Sequence, residues 1–246
     1  MIQKIFETPF ELAEQFAEDF EKSCEESISK NGSVNIALSG GNTPKLFFEV
    51  LSKKYLNKFD WNIMSFYWVD ERCVPAESAE SNFGEAERIL FSNISTKKNI
   101  HLINGANNPE NEAVRYSDWI KKNLPAKNNF PVFDLLLLGM GEDGHTASIF
   151  PDQMNLMNSK KVCEVAIHPV SGQKRITLTG RVINNATRIF FLVTGKGKAE
   201  VVKGIFNKEN DYKKYPAAHI SPNNGQLEWY FDSEAAGLLS KVKRET

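Results

Sequence analysis

The chain has 246 residues, a hydrophobic fraction of 41%, a charged fraction of 25% and a formal net charge of −1 at pH 7. These values are typical of one large α/β domain whose core needs no disulfide or metal for stability, with two small domains as the less favoured alternative. We therefore expect residues 1–246 to form a single domain. The near-neutral charge argues against nucleic acid as a partner, because the chain as a whole lacks the positive field that attracts polyanions.

The cysteines and the N-terminal segment bear on the compartment. Cys24, Cys73 and Cys163 are odd in number, far apart and without a Cys-x-x-Cys pairing, which favours a reducing environment. The N-terminal segment has no apolar run of the signal-peptide kind, and no stretch approaches the ~18 apolar residues of a membrane span. We therefore expect a cytoplasmic protein without a membrane partner.

The first predicted element is a long helix. Thr8 suits the N-cap position, Pro9 suits the first helical position, and Glu11 completes a capping box. Apolar residues then recur at helical spacing as far as the Asn-Gly pair at 31–32, which is predicted to end the helix.

Alternating strands and helices are predicted after it. Short apolar runs predict strands at 34–38, 63–69, 133–138, 162–167, 175–178, 188–194 and 227–231. Helices are predicted at 43–51, from 82, at 108–123, at 198–206 and at 233–240, with a polar surface loop at 207–215. This alternation predicts an α/β fold in which a mostly parallel central sheet carries helices on both faces.

Four polar or glycine-rich motifs come directly after predicted strands. They occupy residues 39–43, 70–72, 139–145 and 195–198. Ligands of such sheets bind outside the carboxyl ends of the strands. We therefore expect the four motifs to converge on one rim.

The first motif consists of Ser39, Gly40, Gly41, Asn42 and Thr43. Its glycines let a ligand approach the backbone, and the following helix N-terminus favours an oxyanion. The motif is neither a Walker sequence nor Gly-x-Gly-x-x-Gly, so nucleotide binding is not indicated. Taken alone, a tight turn with Thr43 as N-cap is the simpler explanation.

Charged residues follow two other strands. Arg72 offers planar donors suited to phosphate, and Asp70 can orient a hydroxyl or a base, but taken alone a surface ion-pair cluster is the simpler explanation. Lys198 is predicted in the first turn of a helix, where a cation opposes the helix dipole. An anionic ligand would offset that conflict, and a solvated lysine is the alternative.

The most informative motif is the glycine loop at 139–145. Its three glycines predict a sharp turn that presents Asp143 and His145 two residues apart. Histidine is the commonest general base, and a nearby carboxylate can fix its tautomer. A structural histidine in the core or at a helix cap is the alternative. No clustered Cys/His pattern predicts zinc, and no Gly-x-Ser-x-Gly elbow predicts a serine esterase.

In order and together, these motifs resemble those of the 6-phosphogluconolactonases, within the glucosamine-6-phosphate isomerase/6-phosphogluconolactonase family. The resemblance covers nearly the whole chain and is carried by residues 38–44, 69–75, 81–82, 139–151, 175–179 and 195–199. It implies a three-layer, Rossmann-like fold similar to that of glucosamine-6-phosphate deaminase, ribose-5-phosphate isomerase and CoA-transferases.

The resemblance also implies a chemistry, namely cofactor-free and metal-free hydrolysis of a phosphorylated sugar lactone in the oxidative pentose phosphate pathway. His145 would activate water, and backbone N–H groups of the glycine loop would stabilise the oxyanion. Asp143 would either orient His145 or only shape the turn. The implied substrate-binding residues are Ser39, Gly40, Gly41, Asn42, Thr43, Asp70, Arg72, Arg175 and Lys198. The implied partner is a small sugar phosphate, and the chain would be a monomer or a homodimer.

Two alternatives remain at this point. A deaminase or related isomerase would have a glutamate five residues after the histidine and a tyrosine after Asp-Glu, and this chain has Phe150 and Arg72 there. A non-catalytic sugar-phosphate sensor would keep the phosphate loop and lose the base, whereas His145 is present.

Overall fold

The computed structural model describes residues 2–94, 97–209 and 211–239. Its strands in these ranges are β1 (Ile2–Phe6), β2 (Val34–Leu38), β3 (Met64–Trp68), β4 (Asp70–Arg72), β5 (Ile100–His101), β6 (Ala126–Lys127), β7 (Phe130–Pro131), β8 (Leu135–Leu138), β9 (Cys163–Ile167), β10 (Lys174–Leu178), β11 (Arg188–Val193) and β12 (Gln226–Asp232). Its α-helices there are α1 (Pro9–Asn31), α2 (Asn42–Lys54), α3 (Asn82–Ile89), α4 (Pro109–Asn123), α5 (Gly180–Ile183) and α6 (Ala199–Asn207).

The central sheet is parallel throughout, with the strand order β1-β12-β11-β8-β2-β3-β5. Helices cover both faces. On one face, the Phe16 ring of α1 contacts Phe190 and Tyr230 at centroid distances of 5.2 and 5.1 Å. On the other, Phe206 of α6 lies 5.3 Å from Trp229. The predicted α/β architecture is confirmed.

The strand order reverses between β2 and β8, which are neighbours. From β2 the chain continues to β3 on one side, and from β8 it continues to β11 on the other. Such a switch point opens a crevice at the carboxyl ends of its strands. The motif at 39–43 follows β2 and the glycine loop follows β8, so both border this crevice.

A second, antiparallel sheet has the order β4-β10-β9. The predicted strands at 162–167 and 175–178 therefore exist, but they lie outside the central sheet. The motif at 70–72 is itself a strand of this small sheet, not a loop. The chain leaves the central sheet at Val69, whose carbonyl accepts the N–H of Leu178 at 2.8 Å.

Glu71 links the acidic motif at 70–72 to the helix that follows it. Its carboxylate is 1% exposed and accepts the hydroxyl of Ser81 at 2.9 Å and the N–H groups of Asn82 and Phe83 at 2.8 Å each. Burial raises the pKa of Glu71, and these hydrogen bonds act against that rise. Glu71 thus ties β4 to the start of α3, where Ser81 is the N-cap.

Of the predicted first and last helices, the described part of the chain contains only the first. The first helix is confirmed, because Thr8 accepts the N–H of Glu11 and Gly32 ends the helix with φ +75°. The predicted closing helix at 233–240 is wrong, since residues 233–238 form turns, while residue 240 lies outside the described ranges. There the Asp232 carboxylate accepts the N–H of Ala235, which closes a turn instead. No helix in the described ranges is long and apolar enough to cross a membrane.

Candidate active site

A cavity of about 280 Å³ opens at the carboxyl ends of β3, β2, β8 and β11, four adjacent strands of the sheet. The predicted site residues that line it are Ser39, Gly40, Gly41, Asn42, Thr43, Asp70, Arg72, His145, Arg175 and Lys198. Asp143 is the predicted residue that does not line it and instead contacts His145. The rest of the lining was not among the predicted site residues and consists of Pro44, Asn82, Gly139, Met140, Gly141, Ala147, Leu192 and Thr194.

His145 is held by Asp143. The Asp143 Oδ1 atom lies 2.6 Å from His145 Nδ1 and accepts the backbone N–H of His145 at 3.1 Å. With its proton on Nδ1, the neutral imidazole keeps the lone pair of Nε2 free for proton transfer. Partial burial raises the pKa of Asp143, but the hydrogen bonds from His145, together with the charge of the imidazole when it is protonated, outweigh it and hold that pKa below its ordinary value.

The glycine loop is a closed turn. The N–H of Gly141 donates to the His145 carbonyl at 2.9 Å, and the N–H of Gly144 donates to the Gly141 carbonyl at 3.0 Å. Gly144 adopts φ +79°, which favours glycine. These two N–H groups are therefore already bonded, so the expectation that the glycine loop stabilises an oxyanion does not extend to them.

Phe150 forms an apolar wall behind the imidazole. It is fully buried, and its ring centroid lies 4.8 Å from that of His145 and 5.2 Å from that of His168. The guanidinium carbon of Arg175 lies 5.7 Å from the same ring. At position 150, His145 therefore contacts an aromatic ring and not a second carboxylate besides that of Asp143.

The loop before α2 presents free donors to the cavity. Within the described chain, the N–H groups of residues 40–43 donate to no protein acceptor, and Gly41 is the N-cap with φ +106°. A Cβ on Gly40 would lie 1.9 Å from Asn82 Oδ1, so glycine is required there.

The two hydroxyl groups of this loop have partners within the protein. Thr43 is not the N-cap that the simpler explanation needs, since its hydroxyl pairs with that of Thr194 at 2.7 Å. The Ser39 hydroxyl donates to the Leu137 carbonyl at 2.8 Å.

Two arginines face each other on the wall beside this loop. Arg72 of β4 and Arg175 of β10 are directly opposite in the antiparallel pair, and both Nε atoms are buried without a partner in the described chain. Burial, and less strongly the charge of Arg72, lower the pKa of Arg175, although Asp70 acts against them. Directly opposed like charges are destabilising, and an anion bound between them would remove that cost.

Lys198 and Asp70 complete the charged groups. Lys198 lies in a 3₁₀ turn before α6, and its Nζ is 3.5 Å from Glu142 Oε1 at the rim. Asp70 is 5% exposed and accepts the Ser148 hydroxyl at 2.6 Å. The cavity thus combines three cations, one buried carboxylate and one imidazole. Among the described residues, no group of three or more His, Cys, Asp or Glu side chains is placed to hold a metal ion.

Comparison with known proteins identifies the family. The model of the glucosamine-6-phosphate isomerases/6-phosphogluconolactonase family matches residues 7–229. The chain belongs to this family. A 6-phosphogluconolactonase of Haemophilus influenzae is 44% identical over 211 residues, which cover 85% of this chain and 89% of the relative. The resemblance inferred from the motifs is thereby confirmed, and it places the chain among sugar-phosphate enzymes.

Solved structures agree with this assignment. The crystal structure of the devB protein has a TM-score of 0.90 at 42% identity and covers 97% of this chain and 99% of that one. The 6-phosphogluconolactonase of Trypanosoma brucei has a TM-score of 0.88 at 30% identity, over 97% of this chain and 98% of that one. The fold expected from the resemblance is shared with these proteins.

Proposed function

We propose that this protein hydrolyses 6-phospho-D-glucono-1,5-lactone to 6-phosphogluconate with His145 as general base. The observation that carries the proposal is that one cavity is lined by the Asp143-supported imidazole, by the three cations and by residues 40–43, whose N–H groups have no acceptor in the described chain. A base alone would fit many hydrolases. The three cations and the free N–H groups support a phosphorylated substrate.

The reaction needs one proton carrier. His145 Nε2 takes a proton from water as the oxygen attacks lactone carbon C1. The tetrahedral intermediate then collapses, the bond from C1 to the ring oxygen breaks, and His145 returns the proton to that oxygen. The carboxylic acid product ionises at neutral pH, so each turnover releases one proton. No covalent nucleophile is required, because the ring ester is already reactive.

The phosphate end supplies binding and alignment. Arg72, Arg175 and Lys198 would neutralise the phosphate, and the N–H groups of residues 40–43 would donate to it at the N-terminus of α2. Binding energy from this remote group positions C1 over the imidazole. The proposal includes a place in the oxidative pentose phosphate pathway, a cytoplasmic location and a single domain over residues 1–246.

The test is a paired assay on the wild-type protein. With 6-phosphogluconolactone we expect proton release well above the spontaneous rate, measured in a pH-stat. With glucosamine 6-phosphate we expect no ammonia, since the fully buried Phe150 stands where the deaminase pattern needs a glutamate. Ammonia release without accelerated lactone hydrolysis would make the protein a deaminase and refute the proposal.

Asp143→Asn tests the support of the base. An amide presents a donor to Nδ1 and favours the tautomer with the proton on Nε2, which cannot accept a proton from water. We expect kcat to fall about 100-fold, less than for a fully buried partner because the Asp143 side chain is 44% exposed. KM should change little. Unchanged kcat would show that Asp143 only shapes the turn.

A further inference from the structure

A segment from 212 to 219 lies against the glycine loop. It consists of two 3₁₀ turns, Tyr212–Lys214 and Pro216–His219, joined at Tyr215. The N–H of Tyr215 donates to the Tyr212 carbonyl at 3.0 Å, and the N–H of Ala218 donates to the Tyr215 carbonyl at 2.9 Å. Part of this segment falls in the predicted polar surface loop at 207–215, yet it is ordered by these bonds and packs inward.

Its contact with the glycine loop is at Gly144. A Cβ on Gly144 would lie 2.5 Å from Tyr215 Cδ1 and 2.7 Å from Tyr215 Cβ and Cγ, so the ring occupies the space beside the bare Cα. The N–H of Ala217 donates to the Gly144 carbonyl at 3.1 Å. On its far side, Tyr215 Cε2 lies 3.5 Å from where a Cβ on Gly204 would stand. The ring is therefore wedged between the loop and α6.

The bonds inside the glycine loop fix its shape, because they join Gly141 to His145 and Gly144 to Gly141. They do not by themselves fix where the Asp143–His145 pair stands relative to the cavity. Gly144 lies between the two residues of that pair, so a shift of Gly144 moves both. Tyr215 and Ala217 both contact Gly144 from outside the glycine loop.

We propose that Tyr215 is a positioning residue, whose ring holds Gly144 and thereby aims His145 at the substrate. Tyr215 does not line the cavity, so it acts through Gly144 and not on the substrate. The inference rests on the proposed function for the identity of the reaction. Its structural content, that the ring sets the position of the imidazole, is independent of the substrate.

The test compares Tyr215→Ala with Tyr215→Phe and Tyr212→Ala. In Tyr215→Ala we expect kcat for 6-phosphogluconolactone to fall about 10-fold or more, since small misplacements of a catalytic group are costly, with KM within about twofold. Tyr215→Phe should retain wild-type kcat, because the atoms beside Gly144 are Cβ, Cγ and Cδ1 and not the hydroxyl. Tyr212→Ala changes the same segment away from Gly144 and should leave kcat unchanged.

Two further readouts separate positioning from stability and from the proposed function. In a His145→Ala background, Tyr215→Ala should cause no additional loss of rate. The imidazole ¹⁵N resonances of His145 should move in Tyr215→Ala and stay in Tyr215→Phe, whatever the substrate is. Unmoved resonances in folded Tyr215→Ala, or an equal loss of kcat in Tyr212→Ala, would overturn the inference. Absence of lactonase activity in the wild type would overturn only the proposed function.

Discussion

His145→Ala is expected to lower kcat for 6-phosphogluconolactone by about 1,000-fold, within the range that a general base contributes. The substitution removes the imidazole whose Nδ1 is held by Asp143 at 2.6 Å and leaves the water without a proton acceptor. KM should stay within about threefold of wild type, because the groups proposed to bind phosphate are untouched. The rate is measured as proton release after subtraction of the spontaneous hydrolysis.

The matched control is His168→Ala. His168 contacts the same Phe150 ring, at 5.2 Å, but does not line the cavity. The two variants therefore remove the same type of side chain from contact with one aromatic ring. We expect His168→Ala to retain kcat within about threefold. If both variants lost activity equally, the loss would reflect disturbed packing around Phe150, and the base would have to be sought elsewhere.

The parts of the site that could be predicted from sequence are those that depend on a few consecutive residues. The glycine loop needs Gly144 at φ +79° between Asp143 and His145, and all of that is contained in a few consecutive residues. The loop at 39–43 likewise combines close approach at Gly40 with a helix start. Their convergence followed from one topological rule, because each motif comes after a parallel strand.

Contacts between distant segments were not predictable in the same way. Tyr215 meets Gly144 across 71 positions of the chain, and no spacing in either segment indicates it. Arg175 was a candidate because of the resemblance, whereas its position opposite Arg72 depends on a strand register that only the folded sheet defines. The same applies to β1, whose mixed residues pair with β12 from the other end of the chain.

The three residues of the motif at 70–72 have different structural roles. The sequence presents three adjacent charges, and alternation along β4 sends neighbouring side chains to opposite faces. Asp70 and Arg72 line the cavity, while Glu71 is buried against the start of α3. A surface ion-pair cluster therefore does not describe this motif, since Glu71 is buried and hydrogen-bonded to residues 81–83, while the other two side chains line the cavity.

Arg72→Ala is expected to raise KM for 6-phosphogluconolactone about 30-fold and to leave kcat/KM for unphosphorylated gluconolactone within about threefold. Loss of a charge-assisted hydrogen bond costs roughly 1.5–3 kcal/mol, and each 1.4 kcal/mol is about tenfold. Arg72→Lys should give an intermediate KM, because an ammonium keeps the charge but lacks the planar fork of donors. Steady-state kinetics with both lactones measures the split.

The control for Arg72 is Arg181→Ala, which removes a guanidinium that lies over the Phe130 ring and away from the cavity. Its KM should equal that of wild type. Arg72→Ala also relieves the repulsion with Arg175 across the β4–β10 pair, so the folded state should not be lost with the substrate affinity. Equal effects of Arg72→Ala on the phosphorylated and unphosphorylated lactones would contradict phosphate binding and would instead assign the guanidinium to the reacting end of the substrate.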